Sequence, residues 1–228
     1  FRLQGVHMPR LVLFDFDGTF ADTAPDMAAA ANRLRQQRGL DPMDVAQLRP
    51  FVSMGARGMV RASLGLDTDH PEFEAAKTAF LADYEQNSTT HTVLFDGIEP
   101  LLQEIRDADM RWGIVTNKLT RYAEPIVAWL NLPDCATLVC GDTVEYAKPH
   151  PLPLQHAARE AGFETRHCFY VGDDLRDIQA AKAAGMPSIA AAYGYCGVEH
   201  PVDSWQADSI VEHPSHLWDA IQTLNQAT

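Results

Sequence analysis

Apolar residues fall along this chain in two rhythms. Short unbroken runs come first: Leu11-Val12-Leu13-Phe14, Trp112-Gly113-Ile114-Val115, Thr137-Leu138-Val139-Cys140, Cys168-Phe169-Tyr170-Val171, Ser188-Ile189-Ala190-Ala191 and a weaker Ser209-Ile210-Val211. None alternates with polar positions, so each predicts a strand covered on both faces, as in a parallel sheet. The second rhythm is helical. Ile98, Leu101, Leu102 and Ile105 share one stripe, Tyr122, Ile126, Trp129 and Leu130 another, and Leu175, Ile178 and Ala181 a third that Gly185 is placed to stop. Strand and helix repeated in this way predict an α/β fold built on a doubly wound parallel sheet.

One interval breaks the alternation. Nearly a hundred residues separate the first strand from the second, with only helical patterns between them. Met27, Ala31 and Leu34 form a stripe, as do Phe73, Ala76, Phe80, Leu81 and Tyr84; Pro42, Pro50, Pro71 and the pair Gly55 and Gly58 punctuate the stretch. A single crossover does not need so much chain. An inserted helical subdomain is therefore expected over residues 25–92, with the sheet domain formed by 8–24 and 93–228.

Composition narrows the function classes. Hydrophobic residues make up 46% and charged residues 21% of 228 positions, enough for a sizeable core. The formal net charge is −13, from 18 basic against 31 acidic residues, which argues against a protein that grips nucleic-acid backbone. An anionic substrate must then be drawn in by local positive groups. No apolar run approaches the roughly 20 residues of a membrane span. Cys135, Cys140, Cys168 and Cys196 form no CxxC pair, and Cys140 and Cys168 end strand-like runs, as buried free thiols do. A reducing, cytoplasmic setting is expected. The first seven residues lack the apolar core of a signal peptide and are expected to be a cloning remnant ahead of Met8, with a natural extension as the alternative.

Candidate chemistry collects at the ends of the predicted strands, where open α/β sheets bind ligands. The first strand runs into Asp15-Phe16-Asp17-Gly18-Thr19. Residues two apart on an extended end project to one side, and Gly18 lets the backbone turn. Two carboxylates so placed can hold one Mg²⁺ and divide the labour: one attacks phosphorus, the other donates a proton and then activates water. The alternative is a helix-capping Asp beside an Asp-Gly turn. The second strand ends in Thr116-Asn117-Lys118, whose hydroxyl and N–H groups suit a phosphate oxygen, or where Thr116 caps a helix. Lys148, in Lys148-Pro149-His150-Pro151, is one of only four lysines. Stiffened by its prolines, it is suited to neutralise both a phosphate and Asp15; a surface turn is the alternative. The fourth strand leads to Gly172-Asp173-Asp174-Leu175-Arg176-Asp177, where unpaired carboxylates would be costly without a cation, and Mg²⁺ suits all-oxygen ligands. Asp174 reads as an acid of the first helical turn, Asp173 as a site residue.

In order and position these motifs resemble the haloacid-dehalogenase superfamily of phosphatases, over nearly the whole of Met8 to Ile221. The resemblance implies a Rossmann-like core with a helical cap, and a magnesium-dependent phosphomonoesterase acting on a small phosphorylated metabolite. By the same resemblance, Asp15 becomes an aspartyl-phosphate and Asp17 is the general acid/base. Thr116 and Lys148 match phosphate-binding positions, with Gly18 and Asn117 beside them. Asp173 matches a direct magnesium ligand, joined by the Asp15 carboxylate and the Asp17 backbone carbonyl, and Asp177 the carboxylate that orients metal-bound water. Within the superfamily the chain looks most like bacterial phosphoglycolate phosphatases. Gly55-Ala56-Arg57-Gly58-Met59-Val60, Arg121-Tyr122-Ala123-Glu124-Pro125-Ile126 and Ala192-Tyr193-Gly194-Tyr195 are also similar to N-acetylmuramic acid 6-phosphate phosphatases. Phe20 stands where leucine is usual and Asp174 where serine is frequent; neither change removes a reacting group.

Arg57, in a glycine-flanked turn, is the candidate for binding a substrate carboxylate, against the alternative of a solvated arginine near a helix start. Asp17 is expected to be kept protonated by neighbouring carboxylates. Among rivals, a haloacid dehalogenase needs neither Asp17 nor a full metal site. A phosphonatase needs a cap lysine, and Lys77 on an acidic helix is a poor candidate. A β-phosphoglucomutase shares every core motif, and a catalytically silent module would not need them.

Overall fold

The computed structural model describes residues 10–227, so the expected remnant at 1–7 and a start at Met8 lie outside the described residues. The chain forms, in order, β1 (Leu11–Phe14), β2 (Ala21–Asp22), α1 (Ala24–Gln37), α2 (Val45–Leu48), a 3₁₀ turn over Arg49–Met54, α3 (Gly55–Leu64), α4 (Phe73–Asn87) and β3 (Val93–Leu94). There follow α5 (Ile98–Asp107), β4 (Arg111–Val115), α6 (Thr120–Leu130), β5 (Cys135–Val139), α7 (Leu152–Ala161), β6 (Cys168–Gly172), α8 (Leu175–Ala184), β7 (Ser188–Ala191), β8 (Ser209–Val211) and α9 (Leu217–Gln226). Six strands make one parallel sheet in the order β5-β4-β1-β6-β7-β8.

The unbroken apolarity of β1 follows from its place at the centre. Val12 and Phe14 point into a core shared with Ile98, Leu101, Ile105 and Ile221, while Leu11 and Leu13 point into another with Leu154, Ala157 and Ala181. Successive side chains of a strand alternate faces, so helices on both sides leave no position for a polar residue. Gly185 ends α8 in the left-handed conformation at φ +73°, as the stop signal anticipated. β5 starts at Cys135, two residues before the apolar run, and Cys140 falls just beyond it.

Helices α1 to α4 lie between β2 and β3, which pair antiparallel with Ala21 opposite Leu94 and Asp22 opposite Val93. Both chain crossings into this helical segment are thereby held side by side. Asp26, in the first turn of α1, adds a second tie. Its buried carboxylate accepts the N–H groups of Thr90, His91 and Thr92 at 2.9–3.1 Å. Met59, Val60, Phe73, Ala76 and Phe80 pack with Met27, Ala31 and Leu34, and this packing runs on into the core beneath Val12 and Phe14. No helix among the described residues is long and apolar enough to cross a membrane.

Candidate active site

The sheet delivers its polar residues to one edge. The Asp15 N–H donates to the Val171 carbonyl at 2.8 Å, carrying the β1–β6 ladder one residue past Phe14. The chain then curls so that the N–H groups of Thr19, Phe20 and Ala21 all point at the Phe16 carbonyl. Gly18 makes the curl, at φ +82°, and a Cβ there would collide with the Asp173 carboxylate. Two separate constraints therefore demand glycine at this position. Its N–H is taken by the Ala21 carbonyl at 3.0 Å.

Lys148 reaches the same edge from the loop after β5, with its side chain 3% exposed. Its Nζ lies 3.1 Å from Asp15 Oδ1, 2.7 Å from Asp177 Oδ1, 2.7 Å from Tyr170 Oη and 3.0 Å from the Val115 carbonyl. Burial opposes its charge, but Asp15 and Asp177 outweigh burial and hold the ammonium above its ordinary pKa. The loop is fixed from β4: the Asn117 side chain donates to the Lys148 carbonyl at 2.8 Å and accepts the Lys148 N–H at 2.9 Å. Asn117 thus spends its side-chain amide on positioning Lys148.

Asp15, Asp173 and Asp177 are buried and bring one carboxylate oxygen each within 4.8 Å of one another. Burial pushes all three up to about 7; mutual repulsion adds to it, from Asp173 on Asp15, from Asp177 on Asp173 and from Asp15 on Asp177. Lys148 opposes the shift at Asp15 and Asp177 but is a single charge against three. Such an excess of buried anion is what a hard divalent cation neutralises, and the all-oxygen donor set fits one. Asp173 is further held by the Tyr195 N–H at 2.8 Å, Thr19 Oγ1 at 3.1 Å and, from the helical segment, Ser53 Oγ at 3.3 Å. Asp174 caps α8 by accepting the Arg176 N–H at 2.9 Å, a structural part that its place in the first turn suggested.

Asp17 faces a different neighbour. Its Oδ1 accepts from Lys118 Nζ and from Thr23 Oγ1, both at 2.6 Å, and Lys118 also donates to the Tyr84 hydroxyl at 2.8 Å. The lysine side chain is 9% and the aspartate 14% exposed. Although burial disfavours it, the Lys118 ammonium is held above its ordinary value, chiefly by Asp17, while burial pushes the Tyr84 phenol up to about 12. Asp17 thus has a cation in direct contact, a neighbour that the sequence did not point to. Lys118 is the residue that sequence reasoning missed. The signal was present as the third residue of Thr116-Asn117-Lys118, but its partners lie on β1's exit and on α4.

A cavity of about 230 Å³ opens over these groups, lined by Asp15, Asp17, Thr116, Asn117, Lys148 and Asp177, with Lys118 and Arg176 beside them. Thr116 is 2% exposed, and its Oγ1 accepts the Lys118 N–H at 3.0 Å; α6 itself begins later, at Thr120, with Leu119 in the capping position. Asp173 sits beneath the cavity, fully buried. Gly18 does not reach the wall, and neither does Arg57. Instead of lying in a turn, Arg57 belongs to the first turn of α3, which starts at Gly55 where φ is +66°. Its exposed side chain lines a neighbouring cavity with Met54, Arg176, Glu199 and Trp205.

The model of the haloacid dehalogenase-like hydrolases matches residues 12–191. A phosphoglycolate phosphatase of Xanthomonas campestris pv. campestris is 48% identical over 216 residues, covering 94% of this chain and 97% of its own length. An N-acetylmuramic acid 6-phosphate phosphatase of Pseudomonas aeruginosa is 42% identical over 213 residues, covering 93% and 94%. The crystal structure of a predicted phosphoglycolate phosphatase from Haemophilus somnus superposes with a TM-score of 0.82 at 23% identity, covering 96% of this chain and all of that one.

Proposed function

Since the chain belongs to the haloacid dehalogenase-like hydrolases and is a phosphatase, we propose that it cleaves small phosphomonoesters through a phosphorylated Asp15. The observation that carries this reading is the buried cluster at the β1 and β6 ends. There Asp15 is bonded to Lys148, faces Asp173 and Asp177, and shares its cavity with Asp17 and Thr116.

In the proposed cycle an Asp15 carboxylate oxygen forms a bond to phosphorus as the ester P–O bond breaks. The step requires Asp17 to enter with a proton on the oxygen that Lys118 and Thr23 leave free. It gives that proton to the departing alkoxide, then takes one from the water that attacks phosphorus, and the Asp15–phosphorus bond breaks to release inorganic phosphate. Lys148 and the Thr116 hydroxyl face the equatorial oxygens, where negative charge is spread in the transition state. Lys118 and Thr23 hold the Asp17 carboxylate by one oxygen, which leaves the other for the leaving group.

Mg²⁺ is the ion this donor set would suit: Asp15, Asp173 and the Asp17 carbonyl would hold it, with Asp177 beside them. When bound, it supplies positive charge to the transferred phosphoryl group. Residues 25–92 are proposed as a cap that screens the reaction from water. The named relatives make 2-phosphoglycolate and N-acetylmuramic acid 6-phosphate the first two substrates to try. Arg57 stays a candidate for recognising a substrate carboxylate from the adjoining cavity, and Arg57→Ala assayed across several esters tests it; equal loss on all, or none, would count against it. The function itself is tested by phosphate release from those two esters with and without Mg²⁺. Product analysis guards against the mutase reading, for which an isomerised sugar phosphate replaces free phosphate.

A further inference from the structure

A second chamber, of about 260 Å³, adjoins the catalytic cavity and shares Met27, Gly55, Asn117 and Lys118 with it. Its other walls come from α3, α4 and α6 and are mainly apolar: Ala56, Phe80, Leu81, Tyr122 and the ring of Tyr84. Phe80 and Tyr84 stack at 6.1 Å with an interplanar angle of 11°, giving this side a flat aromatic wall. Lys118, which lines both spaces, donates to the hydroxyl of Tyr84, which lines the second.

Charge decides what fits. Among the described residues, each cation lining either space already has a carboxylate partner: Lys118 has Asp17, Lys148 has Asp15 and Asp177, Arg176 has Asp174 and Lys77 has Glu74. A carboxylate attached two atoms from the phosphate would enter this region without a free counter-ion and close to Asp17, at a desolvation cost. An uncharged body with an apolar face would instead bury that face against Tyr122, Leu81 and Phe80.

Resting on the phosphatase reading above, we propose that this chamber receives the alcohol part of the substrate and selects a ring-sized, locally uncharged one. The substrate class is then a sugar phosphate esterified at a primary hydroxyl, with any acidic substituent remote from the ester. A two-carbon acid phosphate is the wrong size and the wrong charge for it.

The test compares kcat/KM of the Mg²⁺-loaded protein for N-acetylmuramic acid 6-phosphate and for 2-phosphoglycolate, in the unmodified chain and in Tyr122→Ala and Leu81→Arg. The unmodified protein should favour the sugar ester by about tenfold or more. Each variant should lose about tenfold on the sugar ester and less than about threefold on 2-phosphoglycolate, whose retained turnover also reports an intact fold. A preference of the unmodified protein for 2-phosphoglycolate overturns the inference and leaves the phosphatase reading standing, and this comparison needs no variant to fold. Equal losses on both esters in a variant that melts like the unmodified protein also overturn it. Release of phosphate from neither ester overturns the phosphatase reading and this inference with it.

Discussion

Replacing Lys148 by methionine removes the one cation that the buried carboxylates Asp15 and Asp177 share. The side chains of these three residues are 3%, 11% and 2% exposed, so solvent screening offsets little of the loss. Removing one partner of a buried ion pair costs about 3–5 kcal/mol. That cost requires ionised carboxylates, and burial has pushed Asp15 and Asp177 up to about 7. At pH 5 both hold protons in the folded protein and the ammonium has less to neutralise. As pH rises through 7 they ionise, and the penalty of Lys148→Met grows with pH. Urea unfolding in the presence of a chelator reads this directly: the variant should lose about 3–5 kcal/mol at pH 8 and clearly less at pH 5. Activity with Mg²⁺ should fall about 10²–10³-fold, as when a fixed transition-state contact is deleted. A stability loss under about 1 kcal/mol at pH 8, or one equal at both pH values, would refute the reasoning.

Two further outcomes follow from the same cavity. Asp15, Asp173 and Asp177 have folded pKa values raised to about 7 against an ordinary 3.8. Their contribution to the stability of the metal-free protein is therefore fully present below about pH 4 and lost as pH rises through 7. Mg²⁺ should accordingly raise Tm more at pH 8 than at pH 5; an equal rise at both would place the ion elsewhere. Lys118→Met should lower kcat about tenfold or more by freeing the Asp17 carboxylate from its 2.6 Å contact, and a change under threefold would show that Thr23 alone orients it.

The strands were legible because a centrally placed parallel strand cannot hide its composition: Leu11 to Phe14 serve two cores at once. The site was legible wherever a reacting residue stands at a strand end beside its own turn signal, as Asp15 does before Gly18 and Asp173 does after Gly172. What escaped were contacts that only tertiary packing creates. Lys118 meets Asp17 across 101 positions of sequence and Tyr84 across 34. Asn117 reads as a phosphate-facing residue, yet its amide is committed to the main chain of Lys148. Asp26 looks like an ordinary first-turn acid, but it ties α1 to Thr90–Thr92.

The central claim is that phosphorus becomes bonded to Asp15. It is tested by mixing the Mg²⁺-loaded protein with a turned-over phosphomonoester, quenching in acid within the first turnovers and mapping the peptides by mass. The account predicts that the peptide containing Asp15 gains the mass of one phosphoryl group, that alkaline hydroxylamine removes it, and that Asp15→Asn, folded and metal-binding, shows neither adduct nor turnover. An Asp15→Asn protein that still releases phosphate at a near-normal rate, or an adduct carried by any other residue, would contradict it.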